Sequence, residues 1–141
     1  MQEYDATAVI NASPAKVWSV LTDAAAYGEW NSEILGIDGR IALGERIRAQ
    51  VKLGSGVVRK VGLRVTRLDD TATMEWTGGL PFGLFVGLRT FTVAPAGNGT
   101  KFHMHIRMSG PLASLIGKSV GDRQPEADSF AASLKSRAEQ A

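Results

Sequence analysis

Cysteine is absent from the chain, which excludes disulfides, thiolate zinc sites, iron–sulfur clusters and cysteine nucleophiles together. Long apolar runs are missing as well. The longest uncharged apolar stretch, Gly78 to Leu88, has 11 residues, four of them Gly and one Pro, well short of the ~20 that a membrane-spanning helix needs. Met1-Gln2-Glu3-Tyr4-Asp5 has neither the basic segment nor the apolar core of a secretory leader, so a cytoplasmic location is expected. No Ser-His-Asp order, nucleophile elbow, Gly-rich phosphate loop or pair of acids can be assembled. Acidic residues are scarce in one region. Arg40, Arg46, Arg48, Lys52, Arg59, Lys60, Arg64 and Arg67 stand against Glu45 alone, a local net charge of +7 in a chain whose total is only +2.

What is present is the composition of a folded protein, 44% hydrophobic and 21% charged, far from the polar, highly charged corner where chains stay disordered. The 141 residues match one domain, expected to span 1–141. Residues 4 to 10 read as a strand. Ser13-Pro14 supplies a hydroxyl cap and a proline in the first helical position, with Val17, Trp18 and Leu21 at helical spacing behind it. Thr22-Asp23 can cap a second short helix that Gly28 would end.

From 34 to 109 the chain reads as strands separated by turn signals at 36–44, Gly54-Ser55-Gly56, Asp69-Asp70, 78–83 and 96–99, the rhythm of an antiparallel meander. Ile47, Ala49, Val51 and Leu53 alternate with Arg46, Arg48, Gln50 and Lys52; Phe102, Met104, Ile106 and Met108 alternate with Lys101, His103, His105 and Arg107. Each such strand buries one face. Asp122 to Gln140 returns to helical period, with Ala127, Phe130, Ala131, Leu134 and Ala138 on one stripe. A break is expected between Gly117 and Gly121.

The ordered set Ser13-Pro14-Ala15-Lys16-Val17-Trp18, Leu21-Thr22-Asp23 leading to Trp30-Asn31, Gly99-Thr100-Lys101-Phe102, Ser109-Gly110-Pro111-Leu112 and Leu134-Lys135-Ser136-Arg137-Ala138-Glu139 resembles the START-like superfamily. This group is also called SRPBCC, and the likeness is to its bacterial polyketide cyclase/dehydrase and lipid-transport branch. The resemblance implies an α+β helix-grip fold: a curved antiparallel seven-stranded sheet wrapped around a C-terminal helix, with two short helices after the first strand. It also implies a deep cavity for an apolar or amphipathic small molecule. It implies no reaction, because the superfamily mixes carriers, sensors, cyclases and chaperone cofactors. Where many relatives continue Trp-Asn with Pro, this chain has Ser32.

The apolar parity of the strands and the inner stripe of the helix nominate Trp30, Val51, Met74, Trp76, Phe91, Phe102, Met104, Ile106, Phe130 and Leu134 as ligand-binding residues; the same residues can equally fill a core. Arg89 shares parity with Phe91 and Val93, which aims a guanidinium at the apolar face, where it needs an acceptor. A ligand carboxylate, phenolate or phosphate would serve; so would an internal carboxylate, and a bulge could turn the side chain out. His103 and His105 share the opposite face without further ligands, so no metal and no cofactor is expected. Asn98-Gly99-Thr100 reads as a hairpin turn. The basic stretch is expected to be a solvated, edge-protecting face. With no aromatics interleaved for base stacking, no nucleic acid partner is expected. The Leu80–Phe85 turn can lid the cavity, dip transiently into a membrane or be a buried loop.

The expected function is therefore binding or transport of a lipid-like or polyketide-like molecule. The alternatives are an aromatase/cyclase-like enzyme in which Arg89 polarises a carbonyl, or a protein-interaction module similar to Hsp90-ATPase activators.

Overall fold

Alternation of apolar and polar side chains gives seven strands among the described residues, in a single antiparallel sheet; most bury one face, but the strand at 58–69 buries only Val65. The structure is a computed structural model that describes residues 2–53, 56–120 and 122–140. The strands are β1 (Gln2–Ile10), β2 (Ile34–Asp38), β3 (Arg46–Lys52), β4 (Val58–Asp69), β5 (Thr73–Leu80), β6 (Phe85–Ala96) and β7 (Gly99–Ser109). Their order is β1-β7-β6-β5-β4-β3-β2, so β2 to β7 form a continuous meander and β1 closes onto β7. The expected turn at Gly54-Ser55 lies outside the described residues. Phe102, Met104, Ile106 and Met108 are buried along β7, while His103 and His105 stand on the outer face, each beside a β1 carboxylate, Asp5 at 2.7 Å and Glu3 at 3.3 Å.

The helices are α1 (Pro14–Leu21), α2 (Tyr27–Trp30), α3 (Ala113–Val120) and α4 (Gln124–Ala138), with 3-10 turns at Ala24–Ala26 and Pro81–Gly83. Ser13 starts α1 as its residue type suggests: its Oγ accepts from the Lys16 N–H at 3.2 Å and Pro14 follows. Asp23 precedes the 3-10 turn but makes no capping bond. The helical tail divides between Val120 and Gln124. The break thus falls after Gly117, which lies within α3, while Gly121 is outside the described residues.

Helix α4 packs on β1, α1 and β7 and buries Ala127, Phe130, Ala131, Leu134 and Ala138, giving the helix-grip arrangement. Phe130 is the hub: its ring centroid lies 5.5 Å from Phe91, 5.8 Å from Trp30 and 6.1 Å from Phe102. Burying these rings between helix and sheet is the main apolar contribution to folding. Ser32, at the departure from the Trp-Asn-Pro pattern, hydrogen-bonds Ser129 and Ser133 of α4, so a hydroxyl tie between the loop and the helix stands in its place.

One expectation fails at this level. The basic strands β3 and β4 are interior to the sheet, and its edges are β1 and β2. Edge protection therefore does not explain their charge.

Candidate ligand pocket

Most inner-face positions carry large side chains, but two adjacent ones carry none. Gly78 of β5 and Gly87 of β6 are direct cross-strand partners, and the flanking pairs on the same face are Trp76 with Arg89 and Leu80 with Phe85. At Gly78 a Cβ would lie 2.7 Å from Leu63 Cδ2 and 2.8 Å from the Gly62 carbonyl oxygen, so Leu63 leans over a position that only glycine can hold. At Gly87 a Cβ would meet its neighbours only at 3.8 Å, which is ordinary van der Waals contact. Both glycines border a pocket of about 390 Å³, with room for a side chain at Gly87 alone, whose apolar wall includes Ile34, Ala49, Val51, Val61, Leu63, Trp76, Phe85, Ile106 and Ile116. Its volume falls in the range of small-molecule sites.

Of the nominated residues, Val51, Trp76, Arg89 and Ile106 line this pocket. Trp30, Met74, Phe91, Phe102, Met104, Phe130 and Leu134 do not. Except for the half-buried Trp30, they are fully buried and pack as the solid core around Phe130. Parity identified the inner face correctly but could not separate filled positions from the unfilled end.

Arg89 does face inward, as its parity requires, and it has an acceptor within the protein. Its two terminal nitrogens donate to Glu33 Oε1 at 2.8 Å and Oε2 at 2.9 Å, with the guanidinium carbon 5.7 Å from the Phe130 ring centroid. Of the acceptors its parity left open, the internal carboxylate is the one present. Glu33 is held by an Asx turn in which Asn31 Oδ1 accepts from the N–H groups of Glu33 and Ile34 at 2.9 and 2.8 Å. The same carboxylate accepts from Arg123, just before α4, at 3.0 Å. Burial opposes the Arg89 charge, but the Glu33 carboxylate and its hydrogen bonds prevail, and the pKa moves up. Arg123 moves down, through burial and then the repulsion of Arg89.

Glu126 is buried nearby. Its two oxygens and the Arg123 Nε make no hydrogen bond among the described residues. Arg89 and Arg123 thus line the pocket, with the buried carboxylates of Glu33 and Glu126 behind them. Residue-type reasoning missed Glu33, Arg123 and Glu126. Beneath them Tyr27 donates to the Leu21 carbonyl at 2.5 Å, and its burial raises the phenol pKa well beyond the ordinary range.

Among the described residues no group of three or more His, Asp or Glu side chains could hold a metal ion, and no helix is long and apolar enough to cross a membrane. Leu80 and Phe85, which line the pocket, flank the Pro81–Gly83 turn, where Phe82 is 100% exposed.

The fold is similar to several solved structures. A protein from Mesorhizobium loti shares 22% identity at a TM-score of 0.72, covering 96% of this chain and 95% of that one. A START superfamily protein from Mycobacterium smegmatis shares 20% at 0.71, covering 98% and 97%. A protein from Thermus thermophilus shares 20% at 0.74, covering 97% of each. No curated protein matches. Residues 1–139 match the family model described as polyketide cyclase / dehydrase and lipid transport. With that match over nearly the whole chain, and with a seven-stranded sheet gripping α4, the chain belongs to the polyketide cyclase/dehydrase and lipid-transport family of START-like proteins.

Proposed function

We propose that this protein binds and carries an apolar or amphipathic small molecule in the pocket beside Gly78 and Gly87. The observation that carries the reading is the largely apolar pocket of about 390 Å³ between Trp76, Val51, Phe85 and Ile106, with side-chain room left at Gly87. Carriage is favoured over catalysis by the chemistry of the wall. Among the described residues the titratable side chains lining the pocket are Lys60, Arg89 and Arg123, and the two arginines are already committed to Glu33. A polyketide cyclisation needs a group poised to take or give a proton, and two arginines held by Glu33 do not supply one.

The test is a titration with 1-decanol followed by Trp fluorescence, since Trp76 lines the pocket. Saturable binding is expected in the native protein, weakened at least tenfold in Gly87→Val, whose new side chain would stand in the hollow. No saturable binding, or equal binding by the variant, would overturn the reading.

The apolar turn beside the pocket supports a transient contact with a lipid surface during loading. Phe82 is held at φ 60°, a costly conformation for a non-glycine residue, with its ring wholly in solvent. Phosphatidylcholine vesicles should co-sediment the native protein and lose it on Phe82→Ser; equal sedimentation of both proteins would reject the contact.

A further inference from the structure

The basic strands do not protect an edge, and their charge is organised. Where Arg46, Arg48 and Arg64 stand together, a hollow of about 620 Å³ is lined by these three, Thr77, Asp38 and Gly62, and it adjoins the apolar pocket through Gly62, Leu63, Gly78 and Gly79, which line both. Register explains the cluster. Arg46 is the direct cross-strand partner of Arg64 and Arg48 that of Gly62, while Arg64 is opposite Thr77, and cross-strand partners share a face. At Gly62 a Cβ would meet nothing within 4 Å. The hollow is therefore open because glycine stands there, not because the backbone requires it.

Two like charges placed directly opposite in an antiparallel pair destabilise it, so an Arg46–Arg64 pair calls for an anion. Among the described residues no carboxylate forms an ion pair with either. Arg40, Arg67, Arg89, Arg123 and Arg137 each meet a carboxylate, whereas Arg46, Arg48 and Arg64 make no ion pair or side-chain hydrogen bond among the described residues. The carboxylate nearest in register is Asp38, opposite Arg48, which leaves the Arg46–Arg64 pair uncompensated. Guanidinium forks converging on one hollow match the geometry of phosphate oxygens, and the volume suits a small molecule.

We propose that this hollow is a binding site for a phosphorylated small molecule carrying two or more negative charges, held by Arg46, Arg48 and Arg64 over Gly62. The site adjoins the apolar pocket, but its three arginines do not line that pocket.

Inorganic pyrophosphate is the probe, titrated calorimetrically into the native protein at physiological ionic strength, where delocalised surface attraction is largely screened. Saturable binding is expected, at least tenfold weaker in Arg64→Gln. It should be equally impaired in Gly62→Val, which fills the hollow but keeps every charge. Decanol binding should be unchanged in Arg64→Gln, so failure of either site is seen separately. The proposal is overturned if pyrophosphate does not bind, or if Gly62→Val or Arg64→Gln binds it as well as the native protein. It is also overturned if binding is confined to anionic vesicles or to an oligonucleotide with pyrophosphate inert.

Discussion

Glu33 holds two arginines in a place where water cannot, and that makes it the residue on which the buried polar cluster depends. Its side chain is 0% exposed and that of Arg89 is 10% exposed, so removing the carboxylate strands a guanidinium in the interior. Glu33→Ala is expected to cost about 3 to 5 kcal/mol, and adding Arg89→Met should restore part of the loss, because a matched apolar replacement avoids the uncompensated charge. Urea unfolding of the single and double variants measures this; a loss under about 1 kcal/mol for Glu33→Ala would show that water reaches the cluster.

Tyr27 gives a pH dependence at the same scale. Its phenol pKa is raised in the folded state, so above about pH 10 the unfolded chain ionises while the native one does not. The unfolded state then binds fewer protons, and stability falls as pH rises. Tyr27→Phe should flatten that alkaline decline, at the cost of about 0.5 to 1.5 kcal/mol near neutrality for the lost hydrogen bond. An identical slope in both proteins would place the titration elsewhere. Arg89 could be placed on the inner face by counting along its strand. Glu33 could not, because it precedes β2, where an Asx turn rather than strand alternation sets its direction.

Among the elements, α4 turns a sheet face into a core. Phe130 lies at 0% exposure among four other aromatic rings and does not border the pocket. Phe130→Ala should therefore carry the full cost of an interior cavity, about 3 to 5 kcal/mol by denaturant unfolding, and a loss below about 2 kcal/mol would mean that the hollow extends under the helix. The apolar stripe of α4 and the period-two strands were legible because each repeats over many residues, so single exceptions do not hide the face. The position of the hollow was not. It lies where Gly78 meets Gly87 across strands, and both glycines lie in or beside a stretch that reads locally as a turn. The charge on β3 and β4 was legible as a pattern, yet its interior place in the sheet depends on the strand order, which local alternation does not encode.

For the whole molecule, two environments meet at Gly62, Leu63, Gly78 and Gly79, an apolar pocket against the helices and an arginine-lined hollow. The inner pocket is the part that bears on the family's chemistry. A carrier reading requires that the pocket admit an apolar chain while the aromatic core stays shut, and methyl groups report both at once. The most direct measurement is a methyl-resolved NMR titration with 1-decanol. The account predicts saturable shifts at Ala49, Val51, Val61, Leu63, Ile106 and Ile116, which line the pocket, with Val17, Leu21 and Leu134 in the closed core left unmoved. Shifts spread equally over both groups, or confined to the exposed Leu84 and Leu115, would contradict it.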